Sequence, residues 1–291
     1  AGILWPATHG FYECPDIFPI PGTDKWLLKG SAQHQEWWIL GTYTEVSGLH
    51  SVDRFSSLTG DILEGNRRLD MGDFYASKTF LDPKTNKRVL FGWIPYHCNG
   101  TDWSGIQSLP RVIEMDPLRD NEIITPPYYS VSGLRSSEPS VKITDKPFND
   151  QGLFTFEGLG SQLDIQATLL VKRRSKSAGR YVRFGFRLFL DPDDPNSHFD
   201  VPFRVSPDRG FVFREPFPIY ETDYHELSIR IIVDRSVVET FVQGGRRVYS
   251  TGYCAPNYEN LDRMGVQFLG PELSVEVFIK ELRVYKLQTD R

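Results

Sequence analysis

The chain is 291 residues long, 40% hydrophobic and 24% charged, with a formal net charge of −5. That balance offers no basic face, which argues against nucleic acid and anionic membranes as partners. No apolar run approaches the roughly 20 residues that span a bilayer, and the length suits two ordinary domains.

The first stretch, AGILWPATHG, has neither the charged start nor the long apolar run of a signal peptide. Either targeting has been removed or the chain begins part-way through a longer protein. GFYECPDIFPI then sets Glu13 among Phe11, Tyr12 and Phe18, and Pro15 and Pro19 argue against a central strand. A carboxyl in apolar surroundings has its charged form disfavoured, so its pKa should rise toward that of a general acid. The plainer reading, a solvated or paired glutamate at a strand end, stands beside it. EWWILGTYTEV reads as a strand. In NRRLDMGDFYASKTF, Asp70 and Asp73 flank Gly72, either as an Asx turn opening a strand or as two acids at a site. DPKTNK, Asp82 to Lys87, is a turn between two strands. WIPYHCNGTDWSGIQSLPR reads as strand, irregular loop and strand. It brings Trp93 and Trp103 together and carries an N-glycosylation triplet at Asn99.

The second half keeps the β texture, in YVRFGFRLFL, HELSIRIIVD and SVEVFIKELRVYKL. Ile229, Ile231 and Val233 share one face of their strand, and Arg230 and Ile232 take the other. No amphipathic helix longer than two turns is expected, so the fold class is all-β. All six tryptophans fall between Trp5 and Trp103, and the remainder carries charged loops at Lys172 to Arg180 and Asp191 to Asn196. Tryptophan faces stack on sugar rings, but each is equally at home as core filler. The Pro-, Ser- and Gly-rich stretch Ile124 to Ser140 marks a boundary, giving domains 1–133 and 134–291. Cys14, Cys98 and Cys254 have no CxxC spacing. A Cys98–Cys254 disulfide with Cys14 free is one arrangement the odd count leaves open. His34 to Glu36 lacks a second metal-ligand pair, Gly158 to Gly160 lacks a dinucleotide-binding context, and there is no GxSxG elbow. No metal or cofactor is expected.

Five blocks in order, ECPD, D-x-G-x-FYASKTF, RVLFGWI, WSGIQSLPR and DRSVVETFVQGG, resemble the invertases and fructan hydrolases of glycoside hydrolase family 32. The resemblance covers nearly the whole chain and is weakest from Ser136 to Tyr220. It implies the C-terminal blades of a five-bladed β-propeller (1–133) followed by a β-sandwich (134–291). It implies that Glu13 is the acid/base of a retaining glycosidase acting on sucrose or fructan, with Cys14 tuning its environment. Asp70 would help hold substrate beside the scissile bond, and Trp93 would lie near the pocket wall. Plant relatives often carry Lys at the place of Asp73, so a preference for sucrose does not transfer. Glu239, in the block that marks the sandwich, is read as structural.

A retaining glycosidase needs two carboxyl groups roughly 5 Å apart. The family's nucleophile is an aspartate far N-terminal to the ECP glutamate, whereas only twelve residues precede Glu13 and none is acidic. LRDNE (Leu118 to Glu122) and FNDQG (Phe148 to Gly152) lack the following proline and lie on the wrong side of Glu13. The expectation is a C-terminal piece that needs an N-terminal fragment of the same enzyme. A secreted, cell-wall or vacuolar location follows from the resemblance. The alternatives are a fructosyltransferase, or a carbohydrate-binding or structural protein on the same scaffold.

Overall fold

A computed structural model describes residue 4 and residues 12–48, 52–61, 67–148, 154–171, 181–194, 196–206, 209–220, 226–256, 258–270 and 277–288. Trp5, Phe11, the loop at 172–180 and residues 149–152 of FNDQG lie outside these. The described residues are β-strand and loop, with helix confined to short 3-10 segments such as Tyr129–Leu134 and Tyr258–Arg263. Two compact units divide the chain. The first holds Ala1–Tyr96, Ser104–Tyr128 and Gly245–Ser250; the second holds His97–Trp103, Tyr129–Gly244 and Thr251–Arg291. Two short segments thus group away from their sequence neighbours, which no single linear boundary describes.

In the first unit, β1 (Glu13–Pro19), β2 (Trp26–Ala32), β3 (Gln35–Thr44) and β4 (Arg54–Ser57) form an antiparallel meander in chain order. The second sheet joins β5 (Tyr75–Asp82), β6 (Lys87–Ile94), β8 (Arg111–Met115) and β9 (Ile123–Ile124), with β7 (Ile106–Gln107) also paired to β6. The apolar run in β3 is buried on both faces, as such runs are when a sheet is covered on each side. Trp38 and Leu40 join Phe18, Leu27, Phe74, Leu90 and Ile113 in one core, while Trp37 and Ile39 join Ala32 and Phe55 in another. Trp37 and Trp38 are therefore filler, and Trp26 stacks on Tyr43 with centroids 4.4 Å apart. The DPKTNK turn closes as its residues dictate. Asp82 accepts from Lys84 N at 3.0 Å and Thr85 Oγ1 at 2.5 Å, and Asn86 takes a φ of 52°.

Two further sheets are six-stranded and antiparallel, their strands drawn mainly from the second unit. One contains β10 (Val141–Pro147), β12 (Gln162–Val171), β17 (Glu226–Asp234), β18 (Val237–Val242), β19 (Arg247–Gly252) and β21 (Val277–Lys286), ordered β10-β21-β12-β17-β18-β19. The other contains β11 (Phe154–Phe156), β13 (Val182–Leu190), β14 (Phe199–Val205), β15 (Arg209–Val212), β16 (Glu215–Pro218) and β20 (Gly265–Leu269), ordered β11-β20-β13-β14-β15-β16. Alternate residues of β12 and β17, Leu163, Ile165 and Leu169 with Ile229, Ile231 and Val233, are buried. The other sheet carries an aromatic group of Phe184, Phe186, Phe203 and Phe268. Ile232, placed on the opposite face, is buried as well, opposite the buried Glu239 in the β17–β18 pairing. Cys98 and Cys254, both in this unit, form a disulfide with Cα atoms 5.7 Å apart, and Cys14 is free.

Candidate active site

Glu13 is the first residue of β1, and the register of β1 on β2 shifts between Glu13 and Asp16. Cys14, at φ 46°, is the bulged residue. β5 repeats the device: its register on β6 shifts between Tyr75 and Lys78, and Ala76 sits at φ 48°. A bulge bends its strand and re-aims the neighbouring side chain. Here the two bulges bring one side chain from each sheet together. The Tyr75 hydroxyl donates to Glu13 Oε2 at 2.7 Å. That bond, with burial a lesser cause, pushes the Tyr75 phenol up to about 12.

The strands are tied along their length. Lys78 Nζ donates to the Pro15 carbonyl at 2.9 Å, and Thr79 gives its N–H (3.0 Å) and hydroxyl (2.5 Å) to Asp16 Oδ2. Arg88 Nε donates to Thr79 Oγ1 at 2.8 Å, and its guanidinium lies 4.2 Å from the Phe18 ring centroid. Among the described residues, the expected apolar nest does not enclose Glu13. Glu13 is exposed, because β1 alternation sends Phe18 into the core while Tyr12 packs on a separate cluster.

Beneath the bulges lies a buried ion pair. Lys29 of β2 is 1% exposed and Glu36 of β3 is fully buried. The Lys29 ammonium donates to Glu36 Oε2 at 3.1 Å, to the Cys14 carbonyl at 3.1 Å and to the Ser77 carbonyl at 2.6 Å. Glu36 also accepts from Ser77 N (2.9 Å), from Ser77 Oγ (2.8 Å) and from Ser31 Oγ. Burial pulls the Lys29 pKa below its ordinary value, opposed by Glu36. Sequence reasoning missed Lys29, Glu36, Ser77 and Tyr75. A signal was there, in that WLLKGSA and QEWWILG each plant one charge in an otherwise apolar or small-residue strand.

Asp70 sits deeper than its place in the sequence suggests. It is 1% exposed, and its carboxylate is used up within the protein. Oδ1 accepts from Gly72 N at 2.8 Å and Ser250 N at 3.0 Å; Oδ2 accepts from Arg111 Nη1 at 2.8 Å and Ser250 Oγ at 2.7 Å. Arg111, also buried, stacks on Phe74 with 4.3 Å to the ring centroid. Four donors leave no lone pair for a substrate hydroxyl. Gly72 permits this closure: a Cβ there would lie 2.0 Å from the Ser250 carbonyl oxygen. Asp70 thereby organises the start of β5.

The remaining candidates lie at the surface. Asp73 is exposed and its N–H is held by the Ser250 carbonyl at 2.7 Å. Trp93 is 46% exposed and pairs in register with Tyr75 on one side and Gln107 on the other. Gly105, at φ 85°, backs its indole, and a Cβ there would fall 2.1 Å from Trp93 Nε1. Cys14 is half-buried beside Glu13. Asn99 is exposed in the second unit, where the Thr101 hydroxyl donates to the Cys98 carbonyl at 2.7 Å. Among the described residues, no group of three His, Cys, Asp or Glu side chains is arranged to hold a metal ion.

Residues 5–127 match the model of the Glycosyl hydrolases family 32 N-terminal domain, and residues 130–285 match that of the Glycosyl hydrolases family 32 C terminal. The chain belongs to glycoside hydrolase family 32. This family 32 chain is 28% identical over 302 residues to acid beta-fructofuranosidase AIV-18 of Capsicum annuum, covering 83% of the chain and 46% of the relative. It is 27% identical over 315 residues to fructan 6-exohydrolase of Beta vulgaris, covering 84% and 50%. The chain thus spans about half the length of the curated relatives it matches. In fold it is similar to fructan 1-exohydrolase IIa from Cichorium intybus, with a TM-score of 0.79 at 22% identity over 96% of this chain and 62% of that one. Exo-inulinase from Aspergillus awamori gives 0.74 at 17% identity, over 97% and 58%. The family 32 fold is all-β, with C-terminal propeller blades in the first unit and a β-sandwich in the second.

Proposed function

We propose that this chain carries the acid/base carboxyl of a retaining β-fructofuranosidase-type hydrolase, and that Glu13 is that carboxyl. One observation carries the reading. Glu13 is exposed at the meeting of two bulged strands, with Oε2 held by Tyr75 and no partner for Oε1 among the described residues. A general acid needs that combination of a fixed orientation and one oxygen open to substrate.

Protonated on Oε1, Glu13 gives its proton to the glycosidic oxygen of sucrose or a fructan as the bond from that oxygen to the fructosyl anomeric carbon breaks. A nucleophilic carboxylate forms the new bond to that carbon. In the second step the Glu13 carboxylate takes a proton from water as its oxygen displaces the enzyme carboxylate. Fructose leaves, and both groups return to their starting states. Three acids of the first unit are committed elsewhere: Asp16 to Thr79, Glu36 to Lys29 and Ser77, Asp70 to Arg111 and Ser250. The nucleophile is therefore assigned to an N-terminal fragment of the same enzyme, a reading supported by the half-length match to fructofuranosidase relatives.

Asp73, Trp93 and Cys14 belong to the substrate side of this site. Asp73 puts an acid where plant relatives often carry Lys, so a preference for sucrose over fructan does not carry over. The disulfide and the exposed Asn99 support a secreted, cell-wall or vacuolar protein, since disulfides persist in oxidising compartments. In the full-length protein, Glu13→Gln should lower kcat for fructose release from sucrose and inulin by at least about 100-fold, with KM little changed. Near-normal turnover would remove Glu13 from the mechanism.

A further inference from the structure

We propose that Lys29 is a positioning residue for the Glu13–Tyr75 pair: its ammonium clamps the two bulges, one on each sheet, that aim these side chains at each other. The inference rests on the reading of Glu13 as acid/base. The geometry is specific. The Lys29 ammonium has three N–H donors, and the contacts take up all three: the Cys14 carbonyl after Glu13, the Ser77 carbonyl just past Ala76, and Glu36. Glu36 in turn holds the Ser77 N–H and hydroxyl. Carbonyls at both bulges are thus pinned to one point, while Cys14 and Ala76 are kept at φ 46° and 48°.

Stability alone is a weak reason for such a pair. Removing two charges from water costs several kcal/mol per ion, and apolar replacements of similar volume are often neutral or stabilising. A fixed point between two strands is something apolar packing does not supply. Bulges are soft features of a ladder, and a displacement of about 1 Å at a catalytic group can cost on the order of 100-fold in rate. Lys29 touches neither substrate nor Glu13's carboxyl; it acts through the backbone that carries Glu13 and Tyr75.

The test compares two substrates in the full-length enzyme. Sucrose needs protonation of its leaving oxygen, whereas p-nitrophenyl β-fructofuranoside has a leaving group that needs little. Lys29→Met/Glu36→Gln removes the pair without leaving a lone charge. Lys29→Arg keeps the charge toward Glu36 but moves the donors off the point between the two carbonyls. Each should lower kcat on sucrose by roughly 10- to 100-fold, with KM within about twofold and the kcat for glycosylation by the aryl fructoside little changed. A folded variant with wild-type kcat on sucrose overturns the inference, and so does an equal loss on both substrates. Should the double variant fail to fold, Lys29→Arg decides by the same criteria. Glu13→Gln is run in parallel. If it retains sucrose turnover, the acid/base reading falls and the inference with it. If it loses turnover while the Lys29 variants do not, the inference alone falls.

Discussion

The Tyr75 hydroxyl donates to Glu13 Oε2 at 2.7 Å, and this bond joins the first residue of β1 to the first residue of β5. A hydrogen bond to a carboxylate keeps the phenol protonated, because ionising it would place two negative oxygens in contact. Tyr75 is accordingly pushed up to about 12. The group is raised in the folded state, so its contribution is complete below the ordinary tyrosine value near 10 and is lost as pH rises through about 12. In ¹³C-tyrosine spectra, the resonance missing in Tyr75→Phe should titrate near 12 and drop toward 10 in Glu13→Gln. A Tyr75 that titrates alike with and without Glu13 would mean that the two do not bond in solution.

Asp70→Ala should act on folding. It leaves Arg111 charged and buried without its main partner, and strands the donors of Gly72 and Ser250. Breaking a buried pair from one side costs about 3–5 kcal/mol, a large fraction of a domain's stability. Urea denaturation should show the loss, with Asp70→Asn milder because one amide oxygen still accepts. An Asp70→Ala protein of native stability with a raised KM would instead favour a direct substrate contact for Asp70.

Gly105→Ala should disturb Trp93. The φ of 85° disfavours any side chain, and the added Cβ would meet Nε1 at 2.1 Å. The indole must rotate away, which should weaken the substrate contact proposed for it. KM should rise several-fold with kcat within about twofold, as expected of a residue that helps hold substrate away from the reacting atoms. An unchanged KM alongside altered tryptophan fluorescence would place Trp93 outside the site.

The strands were legible because their residues leave little choice. EWWILG is too short and too β-branched or aromatic for a helix, and the alternation in SIRIIVD places Ile229, Ile231 and Val233 on one buried face. DPKTNK closes the hairpin its Asp and Asn dictate. Glu13 was legible as a candidate through the order of motifs, but its surroundings were not. Phe18 turns into the core while Glu13, on the same strand, stays exposed. The partners of Asp70 were not legible either. Two of its donors come from Ser250, 180 residues away, and no local pattern reveals such a partner. The Lys29–Glu36 pair joins four strands from both sheets, so its meaning emerges only once β1 and β5 lie side by side.

The central claim is that Glu13 supplies the proton and the nucleophile lies outside residues 1–291. Trapping the covalent intermediate tests both parts at once. Full-length Glu13→Gln, mixed with p-nitrophenyl β-fructofuranoside, should undergo the first step and stall, because the second needs the missing base. Intact mass should then show one added fructosyl group, and peptide mapping should locate it on an aspartate or glutamate N-terminal to this chain. An adduct on any acid within residues 1–291, or no stall beside wild-type turnover, would contradict the account.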